Sequence, residues 1–194
     1  MKKLYLKSEI VLVTPAALFD GTGDITDNNV LKGKDGKPYI PGSTLAGICR
    51  HYIAKLAGND FVNDIFGTDE NDENTQSKII FYDAFLSEGG QTQIRDGVKI
   101  GKTKVAEDGA KYDYEVVNSG SKFVFRLCMD YNDDTKQVVD YIQQGINSGE
   151  IRVAAKKNMG FGEMKLADVK ALCIDLETNT DAYINFCWDD VKDV

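Results

Sequence analysis

A proline, a glycine and a serine stand directly before a run of apolar residues at helical spacing, at Pro41, Gly42 and Ser43. Pro41 suits a turn because its ring fixes φ and it has no amide proton, and Gly42 allows backbone conformations that a Cβ resists. Ser43 is predicted to be the N-cap, since its hydroxyl can accept a hydrogen bond from the first turn. The amides of residues 43–46, at the positive end of the helix dipole, could then bind a phosphate.

Basic side chains are grouped beside glycines and loops, which fits contact with phosphates better than scattered surface charge. Taken singly, each group could equally be a solvated face. The formal net charge of −8 argues against nucleic-acid binding by the whole surface, although not against a local basic groove. The groups are Lys32, Lys34 and Lys37; Arg50 and Lys55; Lys99, Lys102 and Lys104; and Arg152, Lys156 and Lys157.

The four cysteines and the one histidine, His51, do not form a metal-binding pattern. No two cysteines have C-x-x-C spacing, so neither a zinc site nor a disulfide framework is predicted. Cys49, Cys128 and Cys173 lie among apolar neighbours and are predicted to be reduced core residues.

The length of 194 residues fits one domain, with or without a large insertion. No apolar run is long enough to span a bilayer, and charged residues interrupt the apolar part of the N-terminus. We therefore expect no membrane partner and a cytoplasmic location.

The hydrophobic spacing predicts an α+β fold of ferredoxin-like or RRM-like type, with an antiparallel sheet and helices on one of its faces. A long loop, 14–42, precedes the first helix, and a hairpin protrudes at 91–117. An acidic exposed loop is predicted at 68–77. The predicted strands are 3–13, 78–86, 121–131, 150–154, 161–175 and an edge strand at 183–188; the predicted helices are 44–57, 60–66 and 133–147.

Residues 40–50, Ile-Pro-Gly-Ser-Thr-Leu-Ala-Gly-Ile-Cys-Arg, resemble the I-P-G-S-x-L-x-G-x-x-R signature of the RAMP proteins of CRISPR–Cas systems. Other family-like segments follow in the same order, and the resemblance covers about residues 4–166. The most similar type is the Cas7-like (Csm3-like) backbone subunit of type III effectors. Ala154, Ala155 and Met159 depart from the family's glycine-rich loop, where two glycines and an arginine are usual. The other segments are 65–67, 80–84, 98–117, 120–123 and 156–163.

The resemblance implies a single domain, 1–194, whose hairpin at about 88–118 is a thumb that inserts between bases of a guide–target duplex. It implies CRISPR RNA, target RNA, further copies of this chain and other Cas effector subunits as partners. The residues expected to bind RNA are Gly42, Ser43, Thr44, Arg50, His51, Lys55, Lys99, Lys102, Lys104, Lys156, Lys157 and Asn158.

In the Csm3-like subunits an aspartate in the loop before I-P-G-S cuts the bound target RNA. Asp27 lies at nearly that spacing here, with Asp24 as the neighbouring candidate. The resemblance therefore implies that Asp27 is the catalytic residue of an endoribonuclease, and that it is the ligand of Mg²⁺ or another divalent cation.

Three alternatives remain open from the sequence. Asp27 could be only an Asx-turn residue, because Asp-Asn-Asn is typical of turns, and the chain would then be a noncatalytic subunit of the same complex. A Cas6-like endonuclease that processes precursor RNA would use His51 instead. An unrelated ferredoxin-like binding domain would have no connection with RNA.

Overall fold

A computed structural model describes residues 1–21, 26–68, 75–100 and 106–192 of the chain, with the backbone alone at 99–100, 106–110 and 134. The acidic segment 69–74 and Asp24 lie outside these residues. The strands are β1 (Lys2–Leu12), β2 (Tyr39–Ile40), β3 (Ile79–Phe81), β4 (Ala84–Glu88), β5 (Thr92–Ile100), β6 (Ala106–Val117), β7 (Lys122–Asp130) and β8 (Met164–Asp175). The helices are α1 (Gly42–Ala57), α2 (Asn59–Phe66), α3 (Asp133–Asn147) and α4 (Thr180–Ile184).

The central sheet has the strand order β2–β4–β7–β1–β8, and β3 also pairs with β7. All of its pairings are antiparallel, with Leu6 opposite Leu127 on one side of β1 and opposite Ala171 on the other. Strands β4, β7, β1 and β8 in this order, with helices α1 and α3 as the crossover connections, give the ferredoxin-like arrangement. The predicted fold class is therefore confirmed.

Apolar residues that alternate along the strands pack against apolar residues at helical spacing on α1, and together they bury one face of the sheet. Alternate residues of β1 and β7 face the helices, and Leu45, Cys49 and Ile53 on α1 cover them at intervals of four residues. Each such aliphatic side chain contributes about 1.5–3 kcal/mol when it is fully buried. The strand residues of this core include Leu4, Leu6, Ile10, Leu12, Phe123, Phe125, Leu127 and Met129.

The C-terminal segment packs on the opposite face of the sheet. The rings of Phe186 and Tyr5 stack with centroids 3.8 Å apart, and the guanidinium of Arg126 lies 5.5 Å from the centroid of the Trp188 ring. The predicted edge strand at 183–188 is therefore wrong, because these aromatic side chains cover the sheet instead of pairing at its edge. Cys173 is exposed, against the prediction, whereas Cys49 and Cys128 are buried as expected.

Two other strand predictions need correction. The segment 78–86 is split at Tyr82 and Asp83, because four residue steps from Phe81 to Phe85 oppose only three on β7. The segment 150–154 is not a strand; its buried residues Ile151 and Val153 donate their amides to the carbonyls of Gly145 and Gly162.

The predicted hairpin is present as β5 and β6, which form a separate two-stranded sheet. The ring of Tyr112 lies across Gly97, where a Cβ would come within 2.3 Å of the ring. At the base of the hairpin, Tyr114 and Val116 pack with Ala17 and Phe161 in a small second core. The hairpin is thus anchored on the glycine-rich loop that follows α3. No helix within the described ranges is long and apolar enough to cross a membrane.

Candidate nucleic-acid interface

Helix α1 begins at Gly42, two residues earlier than predicted, with Pro41 and not Ser43 as its N-cap, and no side chain of the cap bonds to the first turn. The amide of Gly42 donates instead to Oδ1 of Asp83 at 2.8 Å. A Cβ on Gly42 would lie 2.3 Å from the carbonyl oxygen of Phe81, so only glycine fits this approach. The buried Gly42 amide already has a carboxylate partner, while Ser43 and Thr44 remain exposed.

A cavity of about 250 Å³, here called the apolar groove, lies between the N-terminus of α1, the 14–42 loop and the glycine-rich loop. Thr44 and Lys157 are its polar lining residues; Ala17, Phe19 and Ile48 are among the apolar ones. Apolar walls with a cation at the rim suit a sugar and base held beside a phosphate. The structure therefore brings together Thr44 and Lys157 from distant parts of the chain.

Lys156 is already engaged within the protein. Its Nζ donates to the hydroxyl of Tyr112 at 3.2 Å and lies 4.3 Å and 4.6 Å from the ring centroids of Tyr112 and Tyr114. Its backbone has a φ of 56°, a left-handed conformation that is costly for a residue with a Cβ. Lys157 and Asn158, next along the turn, are exposed.

Arg50 joins α1 to the end of α2. Its guanidinium donates to the carbonyl of Gly67 at 3.0 Å and to the side-chain oxygen of Asn63 at 2.7 Å. His51 and Lys55 are exposed on α1 and are not among the residues that line the apolar groove. The structure therefore does not gather these three predicted RNA-binding residues with Thr44 and Lys157.

Three lysines of the hairpin stay predictions. Lys99 is described by its backbone alone, on β5, and Lys102 and Lys104 lie outside the described residues.

Asp27 is exposed and is bonded to the hairpin by two reciprocal hydrogen bonds. Its amide donates to Oδ1 of Asp113 at 3.0 Å, and its Oδ2 accepts from the amide of Asp113 at 2.9 Å. A second cavity of about 280 Å³, here called the acidic cavity, lies at this point. Its lining residues are Asp27, Asp96, Lys111, Tyr112 and Asp113.

Glu115 holds the same loop two residues further along β6. Its carboxylate accepts from the amide of Val30 at 3.0 Å, from Nζ of Lys32 at 2.8 Å and from the hydroxyl of Thr92 at 2.5 Å. Burial raises the pKa of this carboxyl, but the hydrogen bonds from Lys32, Thr92 and Val30 outweigh burial and hold the pKa below its ordinary value. Lys32, predicted to lie in a basic cluster, is thus paired within the chain.

The described residues do not form a ready-made metal site, since no group of three or more His, Cys, Asp or Glu side chains among them could hold an ion. Mg²⁺ is commonly bound by one or two carboxylates together with water and phosphate oxygens. The hard oxygen of the exposed Asp27 fits that role only if RNA and water supply the other ligands.

The two cavities are linked through one side-chain contact. Tyr112 lines the acidic cavity, its hydroxyl is bonded to Lys156, and the next residue, Lys157, lines the apolar groove. The base of the hairpin therefore stands between a groove with a cation at its rim and a carboxylate-lined cavity.

Sequence reasoning missed the roles of Asp83, Asp113 and Glu115. Asp113 and Glu115 alternate along a strand, so their side chains share a face, and that spacing was the available signal. Asp83 follows a strand in a family-like segment, but nothing local indicates that it reaches the amide of Gly42.

Comparison with solved structures supports the fold described above. A chain of the cryo-EM structure of type III-B Cmr-beta bound to cognate target RNA is similar with a TM-score of 0.71 and 21% identity; 88% of this chain and 61% of that chain are covered. A chain of the apo state of type III-B Cmr-beta is similar with a TM-score of 0.67 and 13% identity, over 84% of this chain and 96% of that one. No curated protein sequence matches significantly.

The present chain thus spans less than two thirds of the first of these two relatives and nearly all of the second. At identities below 25%, these structural similarities establish only a shared fold. The model of the RAMP superfamily matches residues 9–165, which is most of the sequence. The chain belongs to the RAMP superfamily, as its resemblance predicted.

Proposed function

We propose that this chain is a backbone subunit of a type III CRISPR–Cas effector complex, which binds CRISPR RNA and cleaves complementary target RNA at regular intervals. Support comes from its family and from its similarity to chains of type III-B Cmr-beta, one of them bound to cognate target RNA. Its partners would be the two RNA strands, further copies of the same chain and other effector subunits.

The observation that carries the proposal is the arrangement around the hairpin base. An exposed carboxylate, Asp27, is held on the edge of the hairpin, and a groove with Lys157 at its rim lies beyond the contact between Tyr112 and Lys156. In this proposal the groove binds the guide backbone, the hairpin separates neighbouring base pairs, and Asp27 faces the target strand where it is bent.

RNA carries its own nucleophile, so the protein has little covalent chemistry to perform. The 2′-oxygen bonds to the adjacent phosphorus, and the bond from phosphorus to the 5′-oxygen breaks. The departing 5′-oxygen takes a proton from water, so a cyclic phosphate and a 5′-hydroxyl result. Asp27 would accept the proton of the 2′-hydroxyl, while distortion of the strand brings attacking and leaving oxygens into line. Its Oδ2 accepts the amide of Asp113, so its other oxygen is the expected base.

A divalent cation such as Mg²⁺, if bound by Asp27 with phosphate and water oxygens, would neutralise charge that develops at the phosphate. Asp27 is the residue of this chain that we expect to contact it.

Two other functions are distinguished by substitutions of Asp27 and His51. A noncatalytic subunit would bind RNA in the same groove and would be indifferent to the loss of Asp27. A Cas6-like nuclease would depend on His51, which is exposed on α1 and has no hydrogen-bond partner in the described part of the chain.

The test is cleavage of an end-labelled, guide-complementary RNA by the assembled complex, in Mg²⁺ and in EDTA, with wild type and Asp27→Ala. Loss of cleavage with retained RNA binding supports the proposal. Binding without cleavage by the wild type would make the subunit structural. Cleavage of a precursor CRISPR RNA that is lost in His51→Ala and kept in Asp27→Ala would support the Cas6-like function.

A further inference from the structure

The loop that carries Asp27 lies along the free edge of strand β6. Ala16 and Val117 exchange two backbone hydrogen bonds of 2.9 Å each, and the carbonyl of Asn28 accepts the amide of Glu115 at 2.9 Å. The pair of bonds between Asp27 and Asp113 continues this edge toward the tip of the hairpin. Segments on both sides of residues 22–25 are therefore bonded to the hairpin.

We propose that Asp113 and Glu115 are positioning residues that hold the carboxylate of Asp27 in its reactive orientation. This inference rests on the proposed function, because the orientation of Asp27 matters only if Asp27 takes part in cleavage. Neither residue is assigned contact with RNA; each acts through the loop.

The two bonds to Asp113 fix Asp27 at both its backbone and its side chain. The backbone is held because its amide donates to Oδ1 of Asp113, and the carboxylate is held because Oδ2 accepts the amide of the same residue. An exposed aspartate with one such bond could rotate about its side-chain torsions. With both bonds, one carboxylate oxygen is committed and the other has a defined direction.

Glu115 fixes the far side of the loop. Its carboxylate receives the amide of Val30 and the ammonium of Lys32, and the hydroxyl of Thr92 ties it to the neighbouring strand β5. Its side chain is only 13% exposed, so its bonds to Val30 and Thr92 are partly shielded from competing water. The loop is consequently bonded to the hairpin at Asp27, Asn28 and Val30.

One consequence concerns the strand separation that the hairpin performs. Because Asp27 is bonded to β6, its carboxylate keeps its place relative to the hairpin when the hairpin engages RNA. Loosening the loop should therefore lower the rate of cutting without changing how tightly the apolar groove holds RNA.

The experiment measures single-turnover cleavage of guide-complementary RNA by the assembled complex, together with the Kd of that RNA. Asp113→Ala removes the acceptor for the Asp27 amide, and we expect the rate constant to fall about tenfold with an unchanged Kd. Asp113→Asn keeps an oxygen acceptor and the backbone amide, and should restore at least half of the wild-type rate. Glu115→Ala should lower the rate in the same way, and Glu115→Gln should do so less.

Asp96→Ala is the charge-matched comparison. Asp96 lies opposite Asp113 across the hairpin and lines the acidic cavity, but in the described residues it makes no hydrogen bond to the Asp27 loop. The positioning account predicts a smaller loss of rate for Asp96→Ala than for Asp113→Ala. Equal losses would show that negative charge in the cavity matters, and would overturn the inference.

Hydrogen exchange on the same complexes separates positioning from damage to the fold. Asp113→Ala should speed exchange of the Asp27 amide and leave the sheet amides of β1 and β7 protected. A full rate in Asp113→Ala, while Asp27→Ala is inactive, would overturn the positioning role and leave the proposed function standing. A wild type that never cuts would overturn both, since Asp27 would then have no reaction to serve.

Discussion

The two cavities beside the hairpin differ in the polarity of the side chains that line them. In the apolar groove the carbon-rich walls leave Thr44 and Lys157 as the polar lining. In the acidic cavity Asp27 and Asp113 are bonded to each other, so Asp27 is held in place. In the proposed function, this difference would make RNA binding and cleavage separate tasks, since one cavity offers surface and a cation while the other offers an oriented carboxylate.

Loss of Asp27 should have the largest effect and should be confined to the acidic cavity. We expect Asp27→Ala to lower the cleavage rate constant at least about 100-fold, because a positioned base contributes on the order of 10²–10⁴. Single-turnover kinetics measures this change, with Asp113→Asn as the control that keeps the loop bonded. A residual rate above one fifth of wild type would show that another group takes the proton.

Arg50 lines neither cavity, so its loss should lower the stability of the fold and leave RNA affinity and cleavage unchanged. Arg50→Ala removes the bonds to Gly67 and Asn63 and should cost about 2 kcal/mol of unfolding free energy. Urea unfolding of the isolated chain measures the loss. Should RNA affinity of the folded protein fall as well, Arg50 would belong to the RNA interface that its position in the signature predicted.

Reversing the charge of Lys157 should weaken RNA binding and leave chemistry intact. We expect Lys157→Glu to raise the Kd about tenfold and to reduce the salt dependence of binding by about one phosphate contact. Lys136→Glu is the matched control, because Lys136 is an exposed lysine on α3, outside both cavities. An equal effect of the two reversals would mean that overall charge, and not the groove, controls affinity.

Acidification should slightly loosen the loop that Glu115 holds, and this is the smallest expected effect. Because the pKa of Glu115 is lower in the folded than in the unfolded chain, its contribution to stability is present above the ordinary value of 4.5 and is lost as the pH falls through the folded pKa. Thermal unfolding between pH 6 and 3 should show wild type losing about 1–2 °C more than Glu115→Gln. Parallel curves would contradict the assigned bonding.

The sequence was sufficient where local spacing decides the structure. Helix α3 occupies 133–147 as predicted, since its apolar residues recur at helical spacing and Asn132 caps it with Thr135 three residues later. The alternating strands β1 and β7 were predicted for the same reason, and the hairpin was predicted from a polar segment with glycines and scattered β-branched residues. Their order along the chain then indicated the ferredoxin-like fold.

Prediction failed where a distant residue supplies the partner. The hydrogen-bond partner of the Gly42 amide, at the start of α1, could not be assigned from local residues, because Asp83 lies 41 positions away in the sequence. The same holds for Asp27 and Asp113, which are 86 positions apart. The position of Lys156 against Tyr112 and Tyr114 could not be predicted either, because it depends on the packing of the hairpin on the glycine-rich loop; its contact with RNA stays a prediction.

The separation of the two tasks is tested most directly by one assay on two variants. Cleavage rate at saturating RNA and Kd are measured for complexes that carry Asp27→Ala or Lys157→Glu. We predict that Asp27→Ala loses the rate and keeps the affinity, and that Lys157→Glu loses affinity and keeps the rate at saturation. If each variant lost both properties, the two cavities would be a single site and the account would be wrong.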